Sequence, residues 1–517
     1  MRGGAVKGAA VWTATLLSSS VAAHKPEGEV LPGFQPKNCN ARLFGEENPR
    51  YLEANWAQNA AGTGFLRDAL LKPEEKTRKP VATVSGEAAT TEAFRGRYPN
   101  AVKWSQSPAA QGDFHSEAVY SLLAGPWALS PLDAREAVVR NADPSDLKSG
   151  YGQVSTNQSV SCDESTLESS GTLFFHAAGN DWTDKDGSHS LVSNCVSVAS
   201  ADPLGYASHF SSGVGRESRA LAAYSDLELK VMDGAGFGGT SAAAPLAGSA
   251  ALYLLKAAPT LDPTAVARVL ELTATLPRKE DAERGRLGSG MVNIPRALVL
   301  ARFLSSKGSP SDEAQALSRE QVAKILADDA KPPYPSFAQL LEGVADCDEY
   351  VRRVQAVARA ASVEADDRSA GKSVLANFYF AHGLDLSAHR LLRTPRNDAQ
   401  VVALFRRIRD DAGASVELRS YALFQLAQVG AVSQKELREE TKKEEPLTAL
   451  LAAKALALKG LLTNEDCQRF LGFGRAARTS FEKPESRWTP SAQAAWLSEV
   501  NEPVGRECKR FGIDWRD

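Results

Sequence analysis

The segment Gly239-Thr240-Ser241-Ala242-Ala243-Ala244-Pro245 constrains this chain more than any other. A glycine-rich turn runs there into a stretch of small residues, and Ala250-Ala251-Leu252-Tyr253-Leu254-Leu255 continues it as a buried core helix. A hydroxyl at the start of such a helix meets unpaired backbone N–H groups and the positive end of the macrodipole, and both favour the oxyanion formed when a serine attacks a carbonyl. Ser241 is therefore the candidate nucleophile, whereas a lone Gly-Thr-Ser would be read equally well as an ordinary serine N-cap.

Other segments bear on that choice. Leu173-Phe174-Phe175-His176-Ala177-Ala178-Gly179-Asn180 reads as a buried strand ending in Ala-Ala-Gly-Asn. Asn194 to Ala201 reads as another strand, followed by the serine-rich loop Ala207-Ser208-His209-Phe210-Ser211-Ser212-Gly213, and Gly288-Ser289-Gly290 as a turn. These segments, with Gly-Thr-Ser-x-Ala-x-Pro around Ser241, resemble the subtilisin-like serine peptidases. The resemblance implies that Asn180 supplies a side-chain amide to an oxyanion hole. It also implies a general base ahead of Asn180, and His115-Ser116-Glu117-Ala118-Val119 is similar to the family's His-Gly-Thr-x-Val-Ala helix, with Ser116 and Glu117 in place of Gly and Thr. His176, His189 and His209 fall where the family moves no proton.

The third member of the triad departs from the family. The segment Lys79-Pro80-Val81-Ala82-Thr83-Val84-Ser85-Gly86-Glu87 matches the opening strand, yet Ser85 or, one residue earlier, Val84 stands where the family has Asp. Glu87 and Asp113 are the nearest carboxylates in sequence. Two readings stay open: another carboxylate replaces the acid, or the domain keeps the fold, loses most turnover and serves as a protein-binding module.

Strand-like runs at 81–84, 172–175 and 196–199 alternate with helical patterns at 115–124, 131–139, 241–256 and 263–276. Such alternation predicts an α/β fold, a parallel sheet with helices on both faces, with the site at the carboxyl ends of the strands. The expected organisation is a signal peptide over 1–23, an N-terminal lead-in over 24–78 with one apolar helical segment at 51–71, a subtilisin-like domain over 79–305 and an all-α region over 306–517. Apolar spacing at 351–358, 416–426 and 447–458 suggests stacked helical repeats, which build extended partner-binding surfaces, or a plain bundle. No strict period is visible.

With 43% hydrophobic and 24% charged residues and a net charge of −3, the chain has the composition of a globular protein and no basic patch for nucleic acid. No segment is apolar over the ~20 residues a membrane span needs. Arg2 and Lys7 precede an apolar run and Val21-Ala22-Ala23, which reads as an export signal and implies a secreted or periplasmic protein. Six cysteines without a C-x-x-C pair favour disulfides over metal; Cys162 and Cys195, flanking the Asn180 strand, are one pairing among fifteen. Asn157-Gln158-Ser159 is a glycosylation sequon. Segment 152–159 is compared with the family's strand that pairs with extended substrate. The chemistry implied needs no cofactor, and a structural calcium, common in the family, is unassigned.

Overall fold

The computed structural model describes residues 34–44, 56–80, 82–85, 114–125, 127–129, 137–139, 154–157, 171–180, 193–202, 205–208, 210–215, 219–226, 229–231, 235–277, 285–330, 334–364, 369–384, 387–388, 398–412, 416–443, 445–470 and 501–513. Six parallel strands form the central sheet: β1 (Ala82–Ser85), β2 (Ala137–Val139), β3 (Val154–Asn157), β4 (Leu173–Ala177), β5 (Cys195–Ala201) and β6 (Ala220–Tyr224), in the order β2-β1-β3-β4-β5-β6. All seven residues of β5 and all five of β6 are buried, as expected of parallel strands covered on both faces. An antiparallel pair, β7 (Leu229–Val231) and β8 (Ala235–Phe237), follows β6.

Two expectations are corrected here. Residues 137–139 of the helical pattern at 131–139 are strand β2, paired in parallel with β1, because Ala-Val-Val suits the edge of a covered sheet better than a helix. Within segment 152–159, the described residues 154–157 are an interior strand bonded to β1 and β4 on its two sides, so these residues offer no edge to a peptide.

Helix α1 (Phe114–Ala124) and the 18-residue α2 (Thr240–Ala257) pack together beside the sheet. Glycine sets how closely they approach: a Cβ on Gly248 would stand 3.0 Å from Thr156 Cγ2 and 3.2 Å from Leu123 Cδ1. Helices α3 (Pro263–Thr273) and α4 (Ile294–Ser305) complete this layer, capped by Asp262 and Asn293 side chains that accept from Ala265 N–H and Arg296 N–H. The turn holding Gly288 and Gly290, at φ 56° and 117°, returns the chain beside β6, where Val292 N–H donates to Ala222 O.

The lead-in is not one helix over 51–71. Helical turns at Trp56–Ala60 and Gly64–Ala69 are separated at Gly62, whose φ of 84° breaks the run. These turns lie between the sheet domain and the following helices. Gln58 Nε2 donates to Trp127 O (2.6 Å) and Tyr253 Oη to Arg67 O (3.1 Å), while Gln355 Nε2 donates to Phe65 O (3.0 Å) and Asn59 Nδ2 to Ser387 Oγ (3.2 Å).

From α5 (Pro310–Ala316) the described chain is helical: α6 (Arg319–Asp329), α7 (Phe337–Leu341), α8 (Cys347–Val363), α9 (Ala370–Ala381), α10 (Asp398–Asp410), α11 (Val416–Gln428), α12 (Gln434–Glu440), α13 (Pro446–Leu458) and α14 (Asn501–Cys508). A period absent to the eye in the sequence is present in the backbone. Gly383, Gly430 and Gly460 end α9, α11 and α13 at φ 73°, 75° and 65°, and the next residue donates five back: Leu384 to Tyr379 O, Ala431 to Leu426 O, Leu461 to Leu456 O. Thirty residues separate Gly430 from Gly460, and the same interval separates the caps Ser433 and Thr463, which accept from Glu436 and Asp466 N–H. Ser420 meets Thr448 at 2.8 Å and Lys459 donates to Ala427 O, so α11 and α13 lie side by side and parallel.

Disulfides join Cys39 to Cys347 and Cys467 to Cys508. Cys195 is disulfide-bonded as well, and Cys162 lies outside the described residues. Among the described residues no helix is long and apolar enough to cross a membrane. The export signal at 1–23 and the sequon Asn lie respectively outside the described residues and at the end of β3.

Candidate active site

Parallel pairing levels the strand ends. Ser85, the last residue of β1, is in register with Asn157, which is in register with His176 of β4. Beyond β4 the chain turns through Gly179, at φ 102°, a value that an L side chain strains to adopt, and this turn presents Asn180.

The second turn is Gly239-Thr240-Ser241. Gly239 has φ 84° and ψ 179°, a region essentially restricted to glycine, so the turn could not be drawn with another residue without strain. Its N–H donates to Ser225 O (3.1 Å), and its carbonyl accepts from Ala242 N–H (3.0 Å) and Ala243 N–H (3.2 Å). Thr240 ties the two turns together: its N–H (3.0 Å) and Oγ1 (2.9 Å) both donate to Asn180 Oδ1, and its Oγ1 accepts from Gly179 N–H (3.2 Å). With Oδ1 taken by two donors, the Asn180 amide offers Nδ2 as its donor. Among the described residues the N–H of Ser241 has no acceptor, while its neighbours in the turn are bonded.

Ser241 differs from the rest of its helix. Seventeen of the eighteen residues of α2 are buried, and Ser241 is the exception. Pro245, four residues on, has no N–H to give the Ser241 carbonyl, so the helix lacks one bond of its first turns beside that hydroxyl.

His115 is half-buried in the first turn of α1. Its ring meets Phe237 edge-on at 5.3 Å and 80°, four residues ahead of Ser241. Ser116 and Glu117, which replace the family's Gly and Thr, are both buried. Glu117 is a carboxylate that sequence reasoning passed over; it stands two residues from His115, a spacing at which side chains on a helix do not face each other. Ser85 occupies the end of β1, and Glu87 and Asp113 lie outside the described residues. His176 is on β4 among the strands, and His189 and His209 lie outside the described residues.

Calcium takes six to eight oxygen ligands, carboxylates prominent among them. Among the described residues no three His, Cys, Asp or Glu side chains gather, and no step is routed through a metal.

Residues 115–293 match the Subtilase family of peptidases, Peptidase S8. Similar solved structures include the prenylagaramide maturation protease PagA (20% identity, 46% of this chain and 100% of that one, TM-score 0.35). Others are the epidermin leader peptide processing serine protease of Staphylococcus aureus (13%, 48% and 80%, 0.37) and the nisin leader peptidase of Lactococcus lactis (12%, 48% and 94%, 0.38). No match to this chain was found among curated proteins. The residues that match the Subtilase family model span both turns and α2 and nearly all of α1, so it is this region of the chain that resembles the subtilases.

Proposed function

We propose that the protein is an exported serine endopeptidase acting through an acyl-enzyme on Ser241. Ser241 Oγ attacks the scissile carbonyl, His115 takes its proton and returns it to the leaving amine, and Asn180 Nδ2 with the Ser241 N–H receives the oxyanion. The observation that carries this reading is the single open hydroxyl at the head of an otherwise buried helix, in a turn bonded to Asn180 through Thr240. Disulfides in the described chain support an oxidising, extracytoplasmic location.

The substrate is a protein or peptide, and the helical region beyond 306 is a surface for a protein partner. Ser85 favours a second reading, a subtilase domain that binds peptides with little turnover. Removing the triad acid of subtilisin lowers kcat by about 3 × 10⁴, yet the oxyanion hole and binding alone still leave ~10³ to 10⁴ over water.

Labelling of the full chain with a fluorophosphonate probe separates the two. Label on the wild type that disappears in Ser241→Ala and His115→Ala supports the peptidase; a folded wild type that takes no label refutes it and leaves the binding module.

A further inference from the structure

The end of β5, the loop after it and the residue that follows β6 carry a group of serines that the proposed chemistry does not use. Ser200, Ser208, Ser211 and Ser225 are all at most 1% exposed. A buried hydroxyl without a partner is costly, so such residues are tolerated only where their bonds are made. Here Ser200, Ser208 and Ser225 bond one another through their hydroxyls, Ser211 Oγ accepts from Ser200 N–H and donates to Ser212 O, and Arg286 donates to the Ser211 carbonyl.

Followed residue by residue, the bonds close on themselves. Gly239 N–H donates to Ser225 O, and Ser225 Oγ donates to Ser200 Oγ (2.8 Å). Ser200 Oγ also shares a proton with Ser208 Oγ (2.6 Å), and Ser200 N–H donates to Ser211 Oγ (3.0 Å). The next residue, Ser212, donates its N–H to Gly179 O (2.9 Å); Gly179 N–H donates to Thr240 Oγ1, and Thr240 follows Gly239. The circuit thus leaves the nucleophile turn, crosses the serines, enters the Asn180 turn and returns. Two loops that follow different strands, each containing a glycine with positive φ, are joined through these buried serines and their backbone bonds.

We infer that Ser200, Ser208, Ser211 and Ser225 are positioning residues, which fix the Asn180 turn relative to Ser241 so that amide and hydroxyl address the same carbonyl. The inference rests on the peptidase reading. None of the four touches substrate; each acts through Gly239, Gly179 or Thr240. Bonded hydroxyls in a dry site polarise one another, so the circuit is stiffer than its bonds taken singly. Because misplacing a catalytic group by 1 Å can cost ~10²-fold, loss of one member, which loosens the turns without removing them, is expected to slow acylation about tenfold.

The test is the saturation kinetics of fluorophosphonate labelling on the full chain for Ser208→Ala and Ser225→Ala, with Ser208→Cys as the conservative variant and thermal melting as the control. The expected result is a maximal labelling rate about tenfold lower, a half-saturating probe concentration unchanged, partial recovery in Ser208→Cys, and a melting temperature that leaves the variants folded at the assay temperature. Folded variants that label at the wild-type maximal rate overturn the inference while leaving the peptidase reading intact. A rate that falls only in proportion to the unfolded fraction also overturns it, since that is a structural role alone. Where the wild type itself takes no label, the peptidase reading fails and this inference with it. Should both alanine variants unfold, Ser208→Cys carries the test by the same two criteria.

Discussion

Cys39 and Cys347 are bonded to each other across 308 residues of sequence, which fastens the start of the lead-in to α8 of the helical region. Around the bond, Arg42 pairs with Asp348 at 3.1 Å and Phe34 meets Tyr350 edge-on at 5.4 Å. A cross-link over so long a loop constrains the unfolded chain strongly. The double variant Cys39→Ser/Cys347→Ser is expected to lose about 2–5 kcal/mol of stability, read as a lower melting temperature, with little change in the rate at which fluorophosphonate labels the protein still folded.

Gly239→Ala tests the nucleophile turn. The nearest atoms to a Cβ there would be those of the Asn180 amide, at 3.4 Å, so space is adequate and the strain lies in the backbone at φ 84°, ψ 179°. The variant is expected to lose roughly 1–3 kcal/mol of stability and to label far more slowly than wild type, because relief of the strain moves Thr240 off Asn180. Wild-type labelling by the variant would show that the turn tolerates an L residue.

Glu75 connects the lead-in to α4. Its Oε1 and Oε2 accept from Arg302 at 2.9 and 2.6 Å, and Oε2 accepts from Lys72 N–H at 2.8 Å. Burial alone would raise this carboxyl; the bonds from Arg302 and Lys72 outweigh it and hold the pKa below its ordinary value. As pH falls, the unfolded chain takes up this proton before the folded one, so the stability that Glu75 contributes at neutral pH is lost through the acid range. Glu75→Gln is expected to melt below wild type at pH 7, and the gap to narrow below about pH 4; a gap independent of pH would rule out the charge as its source.

His382 works in the opposite sense. It is buried, with Tyr350 Oη at 2.7 Å from Nε2 and Asn40 Oδ1 bonded to Nδ1, and burial lowers its pKa from 6.5 to about 3. Between those values the unfolded chain binds a proton that the folded chain refuses, so stability declines as pH drops below 6.5. The expected loss between pH 6.5 and pH 5 is up to about 2 kcal/mol, seen as a falling urea midpoint. In His382→Gln that part of the pH dependence should vanish, although the variant is weaker overall.

The two turns of the candidate site were legible in the chain because their backbone is set by near neighbours. Gly239-Thr240-Ser241 names its own turn, since only glycine accepts that backbone, while the role of the serine came from the wider resemblance, because a serine at a helix start is as readily an N-cap. Ala177-Ala178-Gly179-Asn180 announces a strand end in the same way, and the short β-branched and aromatic runs of β4 and β5 read as covered strands. Strand β2 was less legible: three residues carry too short a pattern to separate from a helix until β1 lies beside them.

The repeat of α11 and α13 was hidden for another reason. Its period lies in backbone conformation, Gly430 against Gly460 and Ser433 against Thr463, while the residues between differ in identity and share only burial. The lead-in misled because its apolar residues serve two partners at once: Trp56 meets Tyr224 of β6, while Phe65 meets Phe378 of α9. That pattern is not a helical stripe.

The sequence by itself determined the parallel α/β core and the helical region after it, because strand burial, helix starts and glycine conformations are dictated by near neighbours in the chain, while Ser241, His115 and Asn180 were marked as residues to watch by their resemblance to the subtilisin-like peptidases. Only the tertiary structure decided that Thr240 holds Asn180, that four buried serines join the two turns, and that the lead-in is bound to α8 through Cys39. Those relations link residues tens to hundreds of positions apart. A hydroxyl or a thiol carries no sign of its partner until packing excludes water and brings that partner within bonding distance.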